Sequence, residues 1–551
     1  MHYNSIGMEE KKLKGISTSI FSFEDIVLSE ALYVDKTKYF YNLISAKDNC
    51  FFCARPRRFG KSLAVSIFKS IFEGKKDLFK GLYIYNSDYD WQTFPIIHMD
   101  MGRTDCSTAE TLSISLTEKI KNLAEEYDLD ISIPTPAIGF DSLISKLNKK
   151  TGKKVVILID EYDKPLTENI ENLQELEKVR TVLDSFYQII KGQNALERFV
   201  FMTGVTKFSK VSIFSKLNNL TDISMNRDYA LMFGYTQEEL ETYFGDYINK
   251  YISDENDSGK TVDKSIFLSE IKRWYNGFKF HYDAATVYNP VSIGQFFLNH
   301  CEFNHYWFST GTPKMLSSVE KKNGLSLQAI RDAVIGENNL NAFMVEDFAK
   351  ENVSPEQVNL LLFQTGYLTL ASRLVIGGAN VYRLKYPNFE VQHSFEEILA
   401  KFYIRLEPSI ILSCSYNVVK SVEEGNSQKI KELLSDMLSQ IPYSIQMKSE
   451  KYYQSLFYLF FKMCGMDISV ESETNTGRID AVMNSPKHLY LFELKLNKNA
   501  TKAIEQIENK KYFEPFIQKA NQEQKTIHCI GINFNSDKDI RNIDDWVEVV
   551  M

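Results

Sequence analysis

Cysteine is scarce in this chain, seven in 551 residues, and the set is odd in number and scattered. A disulfide framework is therefore excluded, and reduced thiols are expected. Cys50 and Cys53 form a CxxC inside the apolar run CFFCA, but no second pair or nearby histidine completes a zinc site. They read as buried strand cysteines. Long hydrophobic runs are also missing. No stretch of about 18 uncharged apolar residues exists, and the start MHYNSIGMEEKKLKG lacks the apolar core of a secretory signal. The expectations are no membrane partner and a cytoplasmic location. Positive charge is not in excess either. A net charge of −8 argues against coating nucleic acid by bulk electrostatics and confines any such contact to a local groove.

What is present is an ordinary globular composition, 44% apolar and 25% charged, in a chain too long for a single core. Two to four domains are expected. The segment DNCFFCARPRRFGKSLAVSIFKSIFEG reads as a short strand, a turn and an amphipathic helix with Leu63, Ile67, Phe68 and Ile71 on its apolar side. The turn fits the end of GxxxxGK[ST] with Gly60, Lys61 and Ser62, but Arg55 stands where the first glycine should be. Gly60 lets backbone approach phosphates, Lys61 brings a point charge to them, and Ser62 is a candidate Mg²⁺ ligand. Arg58 and Phe59, just before Gly60, are counted with these as nucleotide-binding. A basic turn capping a helix is the bland alternative.

A second element about a hundred residues on strengthens this reading. In KKVVILIDEYDKPL five apolar residues, Val155 to Ile159, end in Asp160 and Glu161, a buried parallel strand with acids at its carboxyl end. In such a pair the aspartate holds Mg²⁺ and the glutamate polarises the attacking water. A third strand, RFVFMTGVTKFSK, ends in Thr203, Gly204 and Thr206. Thr203 or Thr206 is a candidate phosphate sensor, against the alternative of a strand end capping the next helix. The ligands implied are ATP and Mg²⁺.

At this point the blocks YVDKTKYFYNLI, ARPRRFGKSL, LIDEYDKPL, MTGVTKFSKVSIFSKLNNLTDIS, WYNGFKF, YNPVSI, YWFSTGTP and QTGYLTL resemble, in order, an AAA-ATPase-like family whose members carry a C-terminal nuclease-like domain. The resemblance covers most of the chain. It implies that RPRRFGKS is the family's usual loop, so that Arg55 is a family trait. It also leaves a homo-oligomer open, with a neighbour's arginine completing the site; Arg198 is one of several candidates.

From about Tyr235 the pattern turns helical, with GYTQEELETYFGDYI opening on a Thr236 cap and Glu239 three residues on, a helical lid. NLLLFQTGYLTL followed by VYRLKYPNFEVQHSFEEIL reads as helix, strand, turn, strand, helix, the layout of a winged helix, here expected to pack or cover. No repeat or low-complexity linker interrupts this stretch. The polar run EEGNSQKIKELLSD marks a soft boundary near 430. The expected division is a P-loop AAA-like ATPase domain at 1–232, a helical and winged-helix-like region at 233–430, and an α/β nuclease-like domain at 431–551.

The last part opens with the helix SEKYYQSLFYLFFKMCG. A turn at Gly477 leads into a strand carrying Asp480, and the next strand, LYLFELKL, carries Glu493 and Lys495 on one face. Neighbouring strands can bring Asp480 beside Glu493. Two carboxylates and one lysine can then hold Mg²⁺ and orient water at a phosphodiester. The spacing D-x(12)-E-x-K resembles the PD-(D/E)XK nuclease core, and GRID, ELK and EQIENKKY resemble the family's own C-terminal blocks. Gln506 and Tyr512 on the following helix are expected to face the site. Glu450, Glu471 and Glu473 are weaker candidates for a further metal ligand, Glu450 foremost. Fourteen Lys plus Arg against fifteen Asp plus Glu leave residues 441–551 nearly neutral.

The reading is an ATPase, with catalytic Glu161, fused to a metal-dependent nuclease with catalytic Asp480, Glu493 and Lys495. Its expected partner is nucleic acid, DNA in preference to RNA by fold resemblance. The alternative is an ATP-dependent regulatory or scaffold protein whose C-terminal domain binds nucleic acid or a partner without cutting.

Overall fold

The run VVILID is buried at every position, so its strand needs cover on both faces, the situation of a central strand in a parallel sheet. The computed structural model of the chain describes residues 13–207, 219–307, 333–336, 354–404, 408–441, 448–474, 477–537 and 542–551. Strands β1 (Cys50–Ala54), β2 (Ile96–Asp100), β3 (Val155–Asp160), β4 (Glu197–Gly204) and β5 (Thr221–Asp222) form one sheet in the order β2-β3-β4-β1-β5, every pair parallel. Parallel pairing brings all carboxyl ends to one edge. Ala54, Asp100, Asp160 and Gly204 therefore end together, and the loop after β1 emerges beside the end of β4. The P-loop α/β architecture is the one expected. Cys50 and Cys53 are free and buried on β1, and burial pushes the Cys53 thiol up to about 11.

The helix Lys61–Phe72 buries Phe68 against Phe40, Phe199 and Phe201, with ring centroids 4.7–4.8 Å apart. The helix Gln237–Asp257 starts where the sequence places it. The Glu239 amide donates to Thr236 Oγ1 at 3.2 Å, and the Thr236 amide donates to Glu239 Oε2 at 2.8 Å. This helix, Lys264–Tyr275 and Pro290–Leu298 share a core of Leu240, Phe244, Phe267, Ile271 and Phe296. The second expected pattern follows as helix Pro355–Thr365, strand β7 (Thr369–Ile376), strand β8 (Ala379–Lys385) and helix Phe389–Ile404, with β6 (Val334–Gly336) on the far side of β8. Glu390 is fully buried there. It accepts from the Trp307 amide at 2.6 Å and Ser292 Oγ at 2.8 Å, joining YWF to YNPVSI.

The described residues fall into two compact units, one up to Gln392 and one from His393, so the expected middle part 233–430 is divided between them. The second unit holds β9 (Asp467–Thr474), β10 (Gly477–Asn484), β11 (His488–Leu496), β12 (Thr526–Phe534) and β13 (Ile543–Val550), in the order β13-β12-β11-β10-β9. Only β11 and β12 pair in parallel, joined through the helix Ala500–Asn509. The mixed sheet fits the expected nuclease-like class. Among the described residues no helix is long and apolar enough to cross a membrane.

One buried group opposes the fold. Glu197, first residue of β4, is 1% exposed, and neither carboxyl oxygen has a hydrogen-bond partner. Burial pushes its pKa up to about 8, with Lys154 pulling the other way. A raised carboxyl pKa means that stability is lost as pH rises from the unfolded value toward the folded one, about 1.4 kcal/mol per pH unit inside that window. Thermal melts should show Glu197→Gln gaining on wild type steadily from pH 5 to pH 8. Parallel melting curves across that range would contradict the assignment.

Candidate functional site

The loop 55–60 curls at two left-handed residues, Arg58 (φ 67°) and Gly60 (φ 85°), and Gly60 caps the helix that begins at Lys61. Such turns point successive amides to one side, a cradle for anions at a helix start. Lys61 is buried, and its Nζ donates to the carbonyls of Arg55 and Pro56 at 3.0 Å each. Burial lowers its pKa, against the opposing pull of Asp160, Asp163 and Glu161. Ser62 is half-buried on the first turn of that helix.

Arg55, in the missing glycine's place, is 1% exposed. Its guanidinium donates to the carbonyls of Ala54 (2.9 Å), Ser224 (2.7 Å) and Tyr229 (3.1 Å) and lies 4.1 Å from the Phe280 ring centroid. It shapes the loop from beneath. Phe59 is buried against Phe278 and Phe280, at 4.9 and 5.3 Å, so its side chain belongs to the packing of the loop. Arg57 is exposed and Arg58 half-buried. The Arg57 carbonyl accepts from Trp307 Nε1 at 3.3 Å. The blocks WYNGFKF and YWF, given no role from sequence, thus brace the loop 55–60.

Asp160 ends β3 directly opposite Asp100 of β2. Its Oδ1 accepts from Thr203 Oγ1 at 2.7 Å and from the Glu161 amide at 3.0 Å. Among the described residues no hydrogen bond reaches its Oδ2, which leaves that oxygen open to a cation. Thr203, expected as a sensor, is fully buried and spends its hydroxyl on positioning Asp160. Glu161 takes a left-handed backbone (φ 54°), and burial, then the Asp160 charge, raise its pKa. Arg198 lies at the amino end of β4, away from these groups in the sheet, donating to the Ile44 carbonyl at 3.1 Å.

In the second unit the antiparallel register pairs Ala481 with Phe492, and one step further sets Asp480 opposite Glu493 on the same face. At that step the Leu494 amide donates to Asp480 Oδ2 at 2.7 Å, and Gln454 Nε2 reaches Asp480 Oδ1 at 3.3 Å. Glu493 is 2% exposed. Lys495 Nζ donates to its Oε1 at 2.8 Å, while Oε2 is buried without a hydrogen-bond partner. Such an orphan acceptor beside a second carboxylate fits a metal ligand. Burial, then Asp480, hold the Glu493 carboxyl well above the usual range. Burial lowers the Lys495 pKa, but the bond to Glu493 and the charges of Glu493, Asp480 and Glu450 outweigh it and raise the value. Among the described residues no group of three or more His, Cys, Asp or Glu is arranged to hold a metal.

Tyr512 lies beyond the helix Ala500–Asn509, which stops short of it, and accepts a 3.4 Å bond from Gln506. Glu450 opens the helix Glu450–Met463 in an exposed position. The side chains of Glu471 and Glu473 lie outside the described residues, as do parts of the blocks after Lys207 and Trp307. Sequence reasoning passed over Gln454, Asp163 and Gln364, whose amide oxygen accepts from the Lys207 amide at 2.8 Å. The last two stand inside recognised blocks, the only signal they gave.

A protein of Azotobacter chroococcum mcd 1, described as an uncharacterized protein in the vnfD 5′ region, is 31% identical over 513 residues, 92% of this chain and 93% of its own. Residues 17–214 match the model of a predicted AAA-ATPase family, and residues 448–546 that of the PD-(D/E)XK nuclease superfamily. The chain belongs to the AAA-ATPase-like family. The AAA-ATPase model covers β1–β4 of the parallel sheet and the loop 55–60, and the nuclease-superfamily model covers the sheet carrying Asp480 and Glu493.

In this family member Arg55→Gly restores the missing glycine and strips three carbonyls of their donor. It should lower stability by about 3 kcal/mol and weaken nucleotide binding, read by denaturant unfolding and a fluorescent ATP analogue. Unchanged stability with tighter binding would show that the arginine is dispensable.

Proposed function

We propose that the chain binds and hydrolyses ATP with Mg²⁺ and uses that cycle to control a metal-dependent nuclease acting on DNA. The observation that carries the nuclease reading is the Asp480–Glu493–Lys495 constellation with its orphaned, buried Glu493 Oε2. Asp480 and Glu493 would hold Mg²⁺ there, which lowers the pKa of bound water and neutralises charge on the phosphate. Lys495, held by Glu493, orients the attacking water and stabilises negative charge on the scissile phosphate. Gln454 and the Leu494 amide keep Asp480 aimed at the shared face.

On the nucleotide side the amides of the loop and Lys61 receive the phosphates, and Ser62 and Asp160 would hold Mg²⁺. Glu161 accepts a proton from, or polarises, the attacking water. Thr203 keeps Asp160 in place.

Plasmid and single-stranded DNA, incubated with Mg²⁺ or Mn²⁺ with and without ATP, should be degraded by wild type, not by Lys495→Ala, and at an altered rate by Lys61→Ala. No cleavage under any condition would favour a regulator that does not cut. Because a raised carboxyl pKa makes metal binding compete with a proton, cleavage should climb from about pH 6 to about pH 8. A profile flat across that interval would count against Glu493 as a ligand.

A further inference from the structure

Three donors converge on one carboxylate behind the nucleotide site. Asp163, 3% exposed, accepts from the Val205 amide at 3.1 Å, the Thr206 amide at 2.7 Å and Thr206 Oγ1 at 2.6 Å. Its neighbour Tyr162 adds two more bonds to the same short loop. The Tyr162 amide donates to the Thr203 carbonyl at 2.9 Å, and its hydroxyl donates to the Thr206 carbonyl at 2.9 Å. Gly204 is enclosed between them. A side-chain carbon there would stand 2.6 Å from Asp163 Oδ1 and 2.6 Å from the Tyr162 ring.

We infer that Asp163 is a positioning residue for ATP hydrolysis, fastening the loop after β4, with Thr206, to the acidic end of β3. The inference rests on the ATPase reading. Asp160 and Glu161 stand just before Asp163 in sequence, and Thr203 joins Asp160 directly, so five bonds from residues 162–163 and one from Thr203 make the two strand ends move as one body. A buried carboxylate is a costly fastener where a neutral side chain would serve packing alone. Its charge also acts on Lys61, beside those of Asp160 and Glu161. Asp163 thereby holds the loop in a fixed relation to the lysine that receives the phosphates and the acids that act on water. A small misplacement of such groups slows the chemical step more than it weakens binding.

The test uses the full chain with Mg²⁺ and ATP, measuring turnover, affinity for a fluorescent ATP analogue and melting temperature. Asp163→Asn turns one acceptor oxygen into a donor facing amides, and should cut kcat by about tenfold or more with affinity changed by less than about threefold. Thr206→Val should lower kcat severalfold at wild-type affinity, and Thr206→Ser, which keeps the hydroxyl, should restore it. If Asp163→Asn and Thr206→Val leave kcat within about twofold, or lower affinity and melting temperature in step with kcat, Asp163 is not a positioning residue. A wild type that turns over no ATP, with Lys61→Ala equally silent, overturns the ATPase reading and this inference with it. That outcome is distinct from an active wild type with an equally active Asp163→Asn.

Discussion

A guanidinium buried under the loop 55–60 is the constraint on which the AAA-ATPase-like unit depends. Removing a full charge from water is unfavourable by several kcal/mol unless hydrogen bonds replace hydration. Arg55 meets most of that demand through its two terminal nitrogens, which donate to the carbonyls of Ala54, Ser224 and Tyr229, and through the Phe280 face, while its Nε is buried without a partner among the described residues. The loop cannot keep its shape without the segment that follows β5 or the aromatic block at 274–280. These contacts tie the loop to residues 224–280 of the same compact unit. Phe59, packed on Phe278 and Phe280, adds a second fastening from the same block.

The nuclease-like sheet solves a different problem, that of holding a half-buried carboxylate, Asp480, close to a buried one, Glu493. Antiparallel pairing of β10 and β11 makes Asp480 and Glu493 face one another, and an isolated pair of this kind would keep a proton. Lys495 on the same face offsets part of that repulsion, and the Leu494 amide and Gln454 bind Asp480. What is left unmatched is a single oxygen, Glu493 Oε2, at the point where a divalent cation is expected.

The strands, their parallel or alternating character and the motif positions were legible because each rests on local pattern. Continuous apolar runs ended in acids, GKS stood at a helix start, and E-x-K fixed one face of a strand. The Thr236 cap was legible for the same reason. What was not legible depends on contacts made across long stretches of chain. Arg55 reads as a lesion or a family trait until Ser224 and Tyr229, 169 and 174 residues away, are seen to receive it. Thr203 and Thr206 both read as candidate sensors or as strand-end residues, and only the neighbouring strand shows that the Thr203 hydroxyl donates to Asp160. The boundary expected near 430 rests on a polar run that falls in the hairpin of helices Pro408–Glu423 and Ser427–Ser439, and polarity on an exposed helix face is a weak guide to where a compact unit ends.

The most direct measurement is calorimetric titration of ATP into the full chain, in the presence and absence of Mg²⁺, for wild type and Ser62→Ala. A loop held open by Arg55 as a working phosphate cradle should bind the nucleotide saturably, with Mg²⁺ strengthening binding in wild type and much less in Ser62→Ala. Absence of saturable binding in wild type, or a Mg²⁺ effect indifferent to Ser62, would contradict the account.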